Sequence, residues 1–266
     1  MPDIVVHNRM GDRVIEQLDE DISSLIDPEI FHFSVMGPDP YIFYRFFAPM
    51  FRHGINKRST TMHRTKTGHF LMALAKRSQS KEMFSFTAGF LCHYAIDSTS
   101  HPFIYGLAEY KSDMHTAIEH RLDVIELERQ GKQRRDIMEL FTAFPDLPEL
   151  KEAMKEVYGW DDNAYKIGHR HMKLFHWIIK DQHGILNGLV GWLGGKFVAI
   201  SYRTKMADML DLTPFGKLEE QSVDFGVQLI TALYKFRNGE IEESKLQEII
   251  GNRSYAGGEA DSSIMQ

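Results

Sequence analysis

The stretch that decides the fold is GFLCHYAIDSTSHPFIYGLAEYKSDMHTAIE, residues 89–119. Its chemistry-bearing side chains recur every four residues: His93, Asp97 and His101, and then His115 and Glu119. Residues with this spacing lie one turn apart on the same side of an α-helix. The pattern therefore predicts two helices, each with a stripe of imidazole and carboxylate groups that can hold zinc or another divalent metal.

The surroundings of the first stripe favour a metal site over a solvated helix surface. A lone His-x3-Glu pair is usually a surface feature, but here the spacing occurs twice. Apolar side chains flank the first stripe on all sides: Met83, Phe84, Phe86, Phe90, Leu91, Tyr94 and Ile96. A helix that is apolar nearly all round is buried, and a buried aspartate must be paired or bind a metal. Gly89, one turn before His93, is expected to leave room beside that metal.

Composition narrows the possible classes of protein. The chain has 266 residues, of which 43% are hydrophobic, enough to form a well-buried core. Its net charge of −6 excludes a generally positive surface that would attract nucleic acid, so no nucleic-acid partner is favoured. A local basic patch is still compatible with this charge. The single cysteine, Cys92, excludes an internal disulfide framework and is expected to be a small buried hydrophobe.

The chain carries no evident membrane or export signal. The amino terminus lacks a cationic region followed by an apolar run, and no stretch approaches the ~18 uninterrupted apolar residues of a transmembrane helix. We therefore expect no transmembrane segment and a cytoplasmic location. The oligomeric state is left open.

Helical periodicity extends through the whole chain, and neither an internal repeat nor a strongly alternating strand occurs. Pro102 is expected to end the central helix, leaving His101 at or just past its terminus. The predicted helices are 9–25, 41–51, one beginning at His63, one capped by Ser78 or Ser80 and ending near Ser98, one capped by Ser112 or Asp113, 133–142, 147–159, 161–182, 197–210, 216–237 and 240–250. The prediction is an all-α protein.

We expect one helical domain over residues 1–250. Within it, residues 1–125 carry the metal chemistry and residues 126–250 complete the bundle. The Gly/Ser/Asp-rich segment 251–266 is expected to be a disordered tail. In the second half, His169, His171, His176 and His183 lack an accompanying set of acidic ligands and are interpreted as solvated or core-edge histidines.

Two further stretches leave alternatives open. The aromatic segment 41–51 is either core or a lipid-facing wall. The basic run 52–66 is either a solvated loop, which we favour, or a rim that binds phosphate.

Taken together, these motifs resemble the zinc-dependent phospholipase C family, whose helical fold is shared with single-strand-specific nucleases. The matching elements follow one another in consistent order: MPDIVVHNRMGDRV (1–14), GPDPYIFYR (37–45), MHRTKTGHF (62–70), GFLCHYAIDSTSHPF (89–103) and HTAIEHRLD (115–123). The resemblance implies a phospholipase C/nuclease-like helical bundle with a metal cluster between its helices.

The resemblance also implies a role for each motif residue. One zinc ion would be held by His63, His93 and Asp97, with Asp97 able to bridge to a second ion. Another ion would be held by His101, His115 and Glu119. His7 corresponds to an early metal-binding histidine of the family. Asp39 corresponds to an acidic residue that orients or deprotonates water. The implied cofactors are two zinc ions, or three.

Two features depart from the secreted phospholipases. In those proteins the third histidine lies further beyond the aspartate, whereas His101 follows Asp97 by only four residues. Their mature amino terminus also ligates zinc after signal removal, whereas this chain begins Met-Pro.

The activity implied is zinc-dependent hydrolysis of a phosphate ester, with a phosphodiesterase of phospholipase C type as the specific expectation and phospholipid as a candidate substrate. Neither a Walker-type glycine loop nor a Rossmann fingerprint competes as a phosphate site in the sequence. Two alternatives remain open. One is a different di-metal phosphatase or nuclease, because the same ligands accept iron or manganese. The other is a non-enzymatic helical protein with a structural metal, because a sequence cannot show an open coordination position.

Overall fold

Helices joined by short loops build the protein, in a computed structural model that describes residues 4–143, 145–179, 207–258, 260 and 261. The α-helices in chain order are α1 (Ile4–Gln17), α2 (Glu20–Ser23), α3 (Pro28–Ser34), α4 (Lys57–Arg64), α5 (Thr67–Ala75), α6 (Lys81–Leu107), α7 (Ser112–Arg129), α8 (Pro148–Tyr158), α9 (Ala164–Ile179), α10 (Phe215–Arg237) and α11 (Glu243–Ile250). Three 3-10 helices accompany them: Asp39–Phe43, Pro49–Phe51 and Arg134–Leu140. The described residues contain no β-strand, so the all-α prediction is confirmed.

Helix α6 is the helix around which the others pack. The Ser80 hydroxyl accepts a hydrogen bond from the Met83 N–H and caps its start, as one of the two sequence alternatives predicted. The apolar residues that flank the ligand stripe are all fully buried, as is Cys92. Helices α1, α3, α5, α7 and α10 all contact α6. A helix buried on every side can place polar groups where no bulk water competes for them.

Pro102 lies inside α6 rather than at its end. A proline within a helix removes one backbone hydrogen bond and typically costs about 3 kcal/mol. Here the turn beyond it is held by packing, because Ile104 and Ala108 are buried in the main core. The predicted helix end near Ser98 was therefore wrong, and His101 is a helical residue one turn after Asp97.

The amino-terminal helix begins earlier than its apolar pattern predicted. Helix α1 starts at Ile4, so His7 lies within it instead of preceding it. The Asp123 carboxylate accepts hydrogen bonds from the N–H groups of Val5 (3.1 Å) and Val6 (2.9 Å). A carboxylate at a helix N-terminus satisfies donors that have no partner within the helix and complements the helix dipole. The first turn of α1 is therefore anchored on α7.

The segment predicted as an aromatic helix over 41–51 is mostly irregular. Two short 3-10 helices interrupt it, and Pro49 opens the second. His63 lies at the end of α4 instead of at the start of a helix. Helix α7 begins at Ser112 after Lys111, which occupies the cap position with no side-chain cap, so the expectation of a Ser112 or Asp113 cap was wrong.

The second half matches the predicted helices closely. Helices α8, α9, α10 and α11 fall on four of the predicted segments, and the 3-10 helix Arg134–Leu140 falls on a fifth. Most of the predicted helix 197–210 lies outside the described residues, as does His183. Within the described part of the chain, no helix is both long and apolar enough to cross a membrane.

The segment after α11 is not the disordered tail that its composition indicated, as far as it is described. Residues 251–258, 260 and 261, here called the carboxyl strap, pack across α4 and α5. The N–H of Lys66 donates to the Asp261 carbonyl, and the N–H of Asp261 donates to the Arg64 carbonyl. The Tyr255 ring is 1% exposed. Backbone hydrogen bonds and one buried ring order a segment that has no periodic apolar pattern.

Candidate metal centre

Every residue that the sequence singled out for the site reaches one buried region. The contributors come from five elements: His7 from α1, Asp39 from the first 3-10 helix, His63 from α4, His93, Asp97 and His101 from α6, and His115 and Glu119 from α7. Five separate segments thus supply five imidazoles and three carboxylates to the same place.

Asp97 lies at the middle of this arrangement. Its Oδ1 is 3.2 Å from Nε2 of His7 and 3.6 Å from Nε2 of His101. Its Oδ2 is 3.2 Å from Nε2 of both His63 and His93. Each oxygen therefore faces a different pair of imidazoles, an arrangement suited to a carboxylate that two cations share.

A second carboxylate, Glu119, lies beside Asp97 on the α7 side. Its Oε1 is 2.7 Å from Nε2 of His115 and 3.4 Å from Nε2 of His101. The four-residue spacing between Asp97 and His101, a departure from the secreted phospholipases, therefore still brings His101 to Glu119. Continuation of α6 through Pro102 is what places it there.

Ligand-capable atoms gather in three groups, each with its atoms within 4.8 Å of one another: His7, His93 and Asp97; Asp39, His63 and His93; and His101, His115 and Glu119. The third group is the set predicted for a second zinc ion. The other zinc ion was predicted to be held by His63, His93 and Asp97. In the structure, Asp39 takes the place of Asp97 in the group that contains His63 and His93. Asp39 is therefore placed where it can be a ligand as well as a base.

Backbone carbonyls orient three of the imidazoles. Nδ1 of His93 donates to the Val35 carbonyl (3.0 Å), Nδ1 of His63 to the Ser59 carbonyl (2.7 Å), and Nδ1 of His101 to the Tyr255 carbonyl (2.9 Å). A carbonyl can only accept, so the proton of each ring must lie on Nδ1. The neutral form of each ring then presents a bare Nε2 lone pair to the site, as metal ligation requires.

Burial controls the charge of the site. It lowers the pKa of His115 to about 3 and lowers the pKa of His101 well below its ordinary value, so both rings are neutral and able to ligate near pH 7. Burial opposes ionisation of Asp97, yet His101 and His93 hold the pKa of this carboxyl well below its usual range. Burial likewise opposes protonation of His63, but its hydrogen bond to Asp97 and the charge of Asp39 raise its pKa.

These residues fit a bound metal on their own geometry. Within the described part of the chain, four fully buried atoms that point into the site have no hydrogen-bond partner: Asp39 Oδ2, His93 Nε2, Asp97 Oδ1 and His101 Nε2. A buried polar atom without a partner typically costs about 1–3 kcal/mol. Imidazole nitrogens and carboxylate oxygens are the ligands that zinc prefers besides thiolate. Coordination to metal would satisfy these atoms together.

Two supporting features could not be read from the sequence. Gly37 has φ of +49°, and a Cβ there would lie 2.2 Å from the His93 ring, so the turn before Asp39 admits only glycine. Gly89 allows α6 to pack closely against α3, because a Cβ on it would lie 2.0 Å from the Ser34 hydroxyl of α3. The expectation that it leaves room beside a metal was wrong. The residues GPDP (37–40) are visible in the sequence, but the close approach of Gly37 to His93 depends on the fold.

The described histidines of the second half, His169, His171 and His176, belong to none of these groups. His169 and His176 are buried beside aromatic rings, His169 against Phe33 and Phe141 and His176 against Phe43, Phe141 and Phe175. Their interpretation as core-edge residues matches this packing. Burial lowers the pKa of His169 to about 3, so that ring is neutral within the core.

The fold and site define an all-α protein with a buried His/Asp/Glu centre between its helices, able to bind metal. The chain belongs to the zinc-dependent phospholipase C family, whose model matches residues 6–174. That range includes all eight predicted site residues. Searches of curated proteins and of solved structures gave no match.

We expect purified protein to contain at least two divalent metal ions per chain, because three ligand-capable groups exceed the needs of one four-coordinate ion. Elemental analysis after purification without chelator measures the ratio. His93→Ala and His115→Ala should each reduce metal content and melting temperature, since metal bound to the native state adds stability by mass action.

His69→Ala is the matched control for these variants, because His69 is an exposed helical histidine outside the centre. It should keep wild-type metal content. His171 is less suitable, since its Nδ1 accepts the Arg45 N–H. A metal ratio near zero, with no change in melting temperature on adding zinc, would contradict the expectation.

Proposed function

We propose that this chain is a zinc-dependent hydrolase of phosphate esters, and specifically a phosphodiesterase of phospholipase C type that uses two zinc ions, or three. Membership of the family supports the general chemistry. The observation that carries the proposal is the arrangement around Asp97, where each carboxylate oxygen faces its own pair of histidine Nε2 atoms. A carboxylate placed in this way can hold two cations close together.

The residues that would hold metal follow from the three ligand-capable groups. Asp39, His63 and His93 would surround one position, with Asp97 Oδ2 3.2 Å from Nε2 of both histidines, and His101, His115 and Glu119 would surround another. His7 faces Asp97 and His93 and would complete a third. Zinc held at such positions would polarise phosphate oxygens and lower the pKa of water, which metal-assisted ester hydrolysis requires.

Asp39 is proposed to orient or deprotonate the attacking water. It is fully buried in the 3-10 helix that follows the Gly37 turn, so its carboxylate is held on a rigid corner. Its Oδ1 lies 3.4 Å from Nε2 of His63 and 3.5 Å from the Ser59 hydroxyl, which donates to it. Its Oδ2 has no hydrogen-bond partner among the described residues, leaving an acceptor for water.

Access to the centre supports a catalytic role over a purely structural one. The side chains of His63 and His115 are each 12% exposed, whereas those of His7, His93 and Asp97 are fully buried. We therefore infer that solvent reaches the centre at His63 and His115, here called its open side.

Arg64 and Tyr105 lie at this open side. Arg64 follows His63 and is exposed to solvent, and the Tyr105 ring lies 4.5 Å from the His115 ring. A guanidinium and a phenol there can receive the phosphate of a substrate.

The function is tested with bis(p-nitrophenyl) phosphate, a soluble phosphodiester. We expect hydrolysis by the protein as purified, loss of hydrolysis with a chelator, and recovery when zinc or a similar ion is restored. Chelator addition should also lower the melting temperature, which reports metal loss independently of turnover. Inactivity across a broad panel of phosphate esters, with metal content confirmed, would contradict the enzymatic proposal and favour a structural metal.

A further inference from the structure

An aromatic loop next to the site projects apolar side chains into solvent. Phe47, Met50 and Phe51 are 60%, 78% and 51% exposed, respectively, within seven residues of Arg45. We call residues 45–53 the aromatic loop. Large apolar side chains scattered singly over a surface are common, but three in one short loop form a patch that usually marks an interaction site.

Two arginines fix the shape of the aromatic loop from within. Nη1 of Arg45 donates to the Phe51 carbonyl (3.2 Å). Nε of Arg52 donates to the Arg45 carbonyl (3.2 Å), and its Nη2 donates to the Phe46 carbonyl (3.0 Å). These bonds satisfy the carbonyls of the turn, so its outward side chains do not depend on a hydrophobic core for their placement.

The base of the aromatic loop is attached to α9. Phe46 is 7% exposed and packs against Phe175, with ring centroids 5.5 Å apart. The N–H of Arg45 donates to Nδ1 of His171. Arg45 has φ of +48°, a conformation that non-glycine residues adopt at a cost of about 1–3 kcal/mol and that persists only when its surroundings hold it. The conformation of the aromatic loop is therefore fixed by specific contacts with α9.

The charge around the aromatic loop is the reverse of that of the whole chain. The protein has a net charge of −6, yet no Asp or Glu occurs between Asp39 and Glu82. The lysines and arginines of that interval are Arg45, Arg52, Lys57, Arg58, Arg64, Lys66, Lys76, Arg77 and Lys81. In the described part of the chain, three of these nine side chains meet a carboxylate: Arg58 pairs with Asp162, Lys76 with Glu243 and Arg77 with Glu156. Among the described residues, no carboxylate pairs with Arg45, Arg52 or Lys57.

Helix α4 connects the aromatic loop to the metal centre. Lys57 begins the helix just after the loop, and His63 and Arg64 end it at the open side of the site. Eight residues of α-helix span about 12 Å at 1.5 Å per residue. The exposed apolar tip and the site opening are thus held about one short helix apart.

From this combination we infer that the aromatic loop, with its own Arg45 and Arg52 and with Lys57 of α4, docks the protein on a bilayer surface that carries anionic lipid headgroups. Exposed Phe and Met side chains gain free energy by entering the interfacial region of a bilayer, and unpaired basic groups beside them are attracted to anionic headgroups. The charge complementarity selects an anionic surface over a neutral one. The inference rests on the proposed function in one respect: docking would bring the metal centre to a phosphate ester within the membrane surface.

Vesicle co-sedimentation tests the docking surface with full-length protein. The probes are vesicles of phosphatidylcholine alone and of phosphatidylcholine mixed with phosphatidylglycerol. Wild-type protein should bind the anionic vesicles more strongly than the neutral ones, and added salt should weaken that binding. The triple variant Phe47→Ser, Met50→Ser, Phe51→Ser should bind at least about tenfold more weakly, because tenfold corresponds to only about 1.4 kcal/mol of lost apolar transfer.

Met209→Ser is the matched control, since Met209 is 93% exposed and lies outside the aromatic loop. It should bind vesicles like wild type. Both variants should hydrolyse bis(p-nitrophenyl) phosphate at the wild-type rate, which shows that they are folded.

Equal sedimentation of the triple variant and wild type, or no binding of wild type to anionic vesicles, overturns the docking surface. Binding to a single-stranded oligonucleotide in place of vesicles overturns it as well. Vesicle binding without diester hydrolysis instead overturns the proposed function and leaves docking intact.

Discussion

Asp97→Asn should release bound metal, lower the melting temperature and abolish phosphodiester hydrolysis together. Both Asp97 oxygens face histidine Nε2 atoms, so the amide would remove the charge that two cations would share and would direct an N–H₂ donor at one pair of rings. Loss of a ligand present at about 100 times its Kd removes about 2.7 kcal/mol of stability. For a chain of this size, that corresponds to a fall in melting temperature of about 5–10 °C.

Asp39→Asn should separate these effects. If Asp39 positions or deprotonates water, turnover should fall by about 10²–10⁴-fold while metal content and melting temperature stay near wild type. The two variants form a matched pair, because both replace a fully buried aspartate of the same centre with its isosteric amide. Zinc stoichiometry, melting temperature and hydrolysis rate are measured side by side. Loss of zinc in Asp39→Asn would make Asp39 a ligand, as its position beside His63 and His93 allows. Retained zinc and activity in Asp97→Asn would overturn the bridging role.

Gly68→Ala should displace the carboxyl strap and weaken metal binding without changing any ligand. A Cβ on Gly68 would lie 2.1 Å from the Gly251 carbonyl oxygen, so the backbone of the strap would have to move. The Gly68 N–H also donates to the Asn252 side chain, and this contact would be lost. Overpacking of this kind typically costs about 1–3 kcal/mol. Because the Tyr255 carbonyl orients His101, we expect metal affinity to fall about 10–100-fold, as for other losses of support behind a ligand.

Gly106→Ala is the control for this variant. Gly106 also lies within a helix, but a Cβ there would meet nothing within 4 Å. Alanine in an exposed helix position is more stable than glycine by about 1 kcal/mol, so this variant should keep its metal and melt no lower than wild type. Chelator competition measures affinity, and thermal melting measures stability. If Gly68→Ala retains wild-type affinity, the strap does not support the centre.

The sequence was sufficient to predict those parts of the structure that depend on local spacing. The four-residue interval between His93 and Asp97 works through the geometry of one helix, so it could be recognised without knowledge of the fold. Helices α8 to α11 were likewise visible as amphipathic segments. The convergence of His7 and Asp39 on the same region followed only from the family resemblance, since nothing local links either residue to α6.

The features that were missed depend on tertiary contacts. Pro102 was expected to end α6 because its intrinsic cost is high, but buried packing of Ile104 outweighs that cost. The carboxyl strap has the composition of a disordered segment, and its order comes from hydrogen bonds to backbone groups, which no side-chain pattern records. The sequence did not decide whether the aromatic segment 41–51 is core or a lipid-facing wall. In the structure its residues differ, because Phe46 is buried and Phe47 is exposed.

The hydrogen bond between His101 and the Tyr255 carbonyl joins residues 154 positions apart in the chain. During synthesis at about 5–20 residues per second, roughly 8–30 s pass between the appearance of His101 and that of its partner. Until then, the ring of His101 lacks the acceptor that fixes its proton on Nδ1. A nascent chain that does not yet contain Tyr255 therefore cannot hold this side of the centre in its final form. We therefore expect metal binding at this side of the centre to follow synthesis of the carboxyl strap.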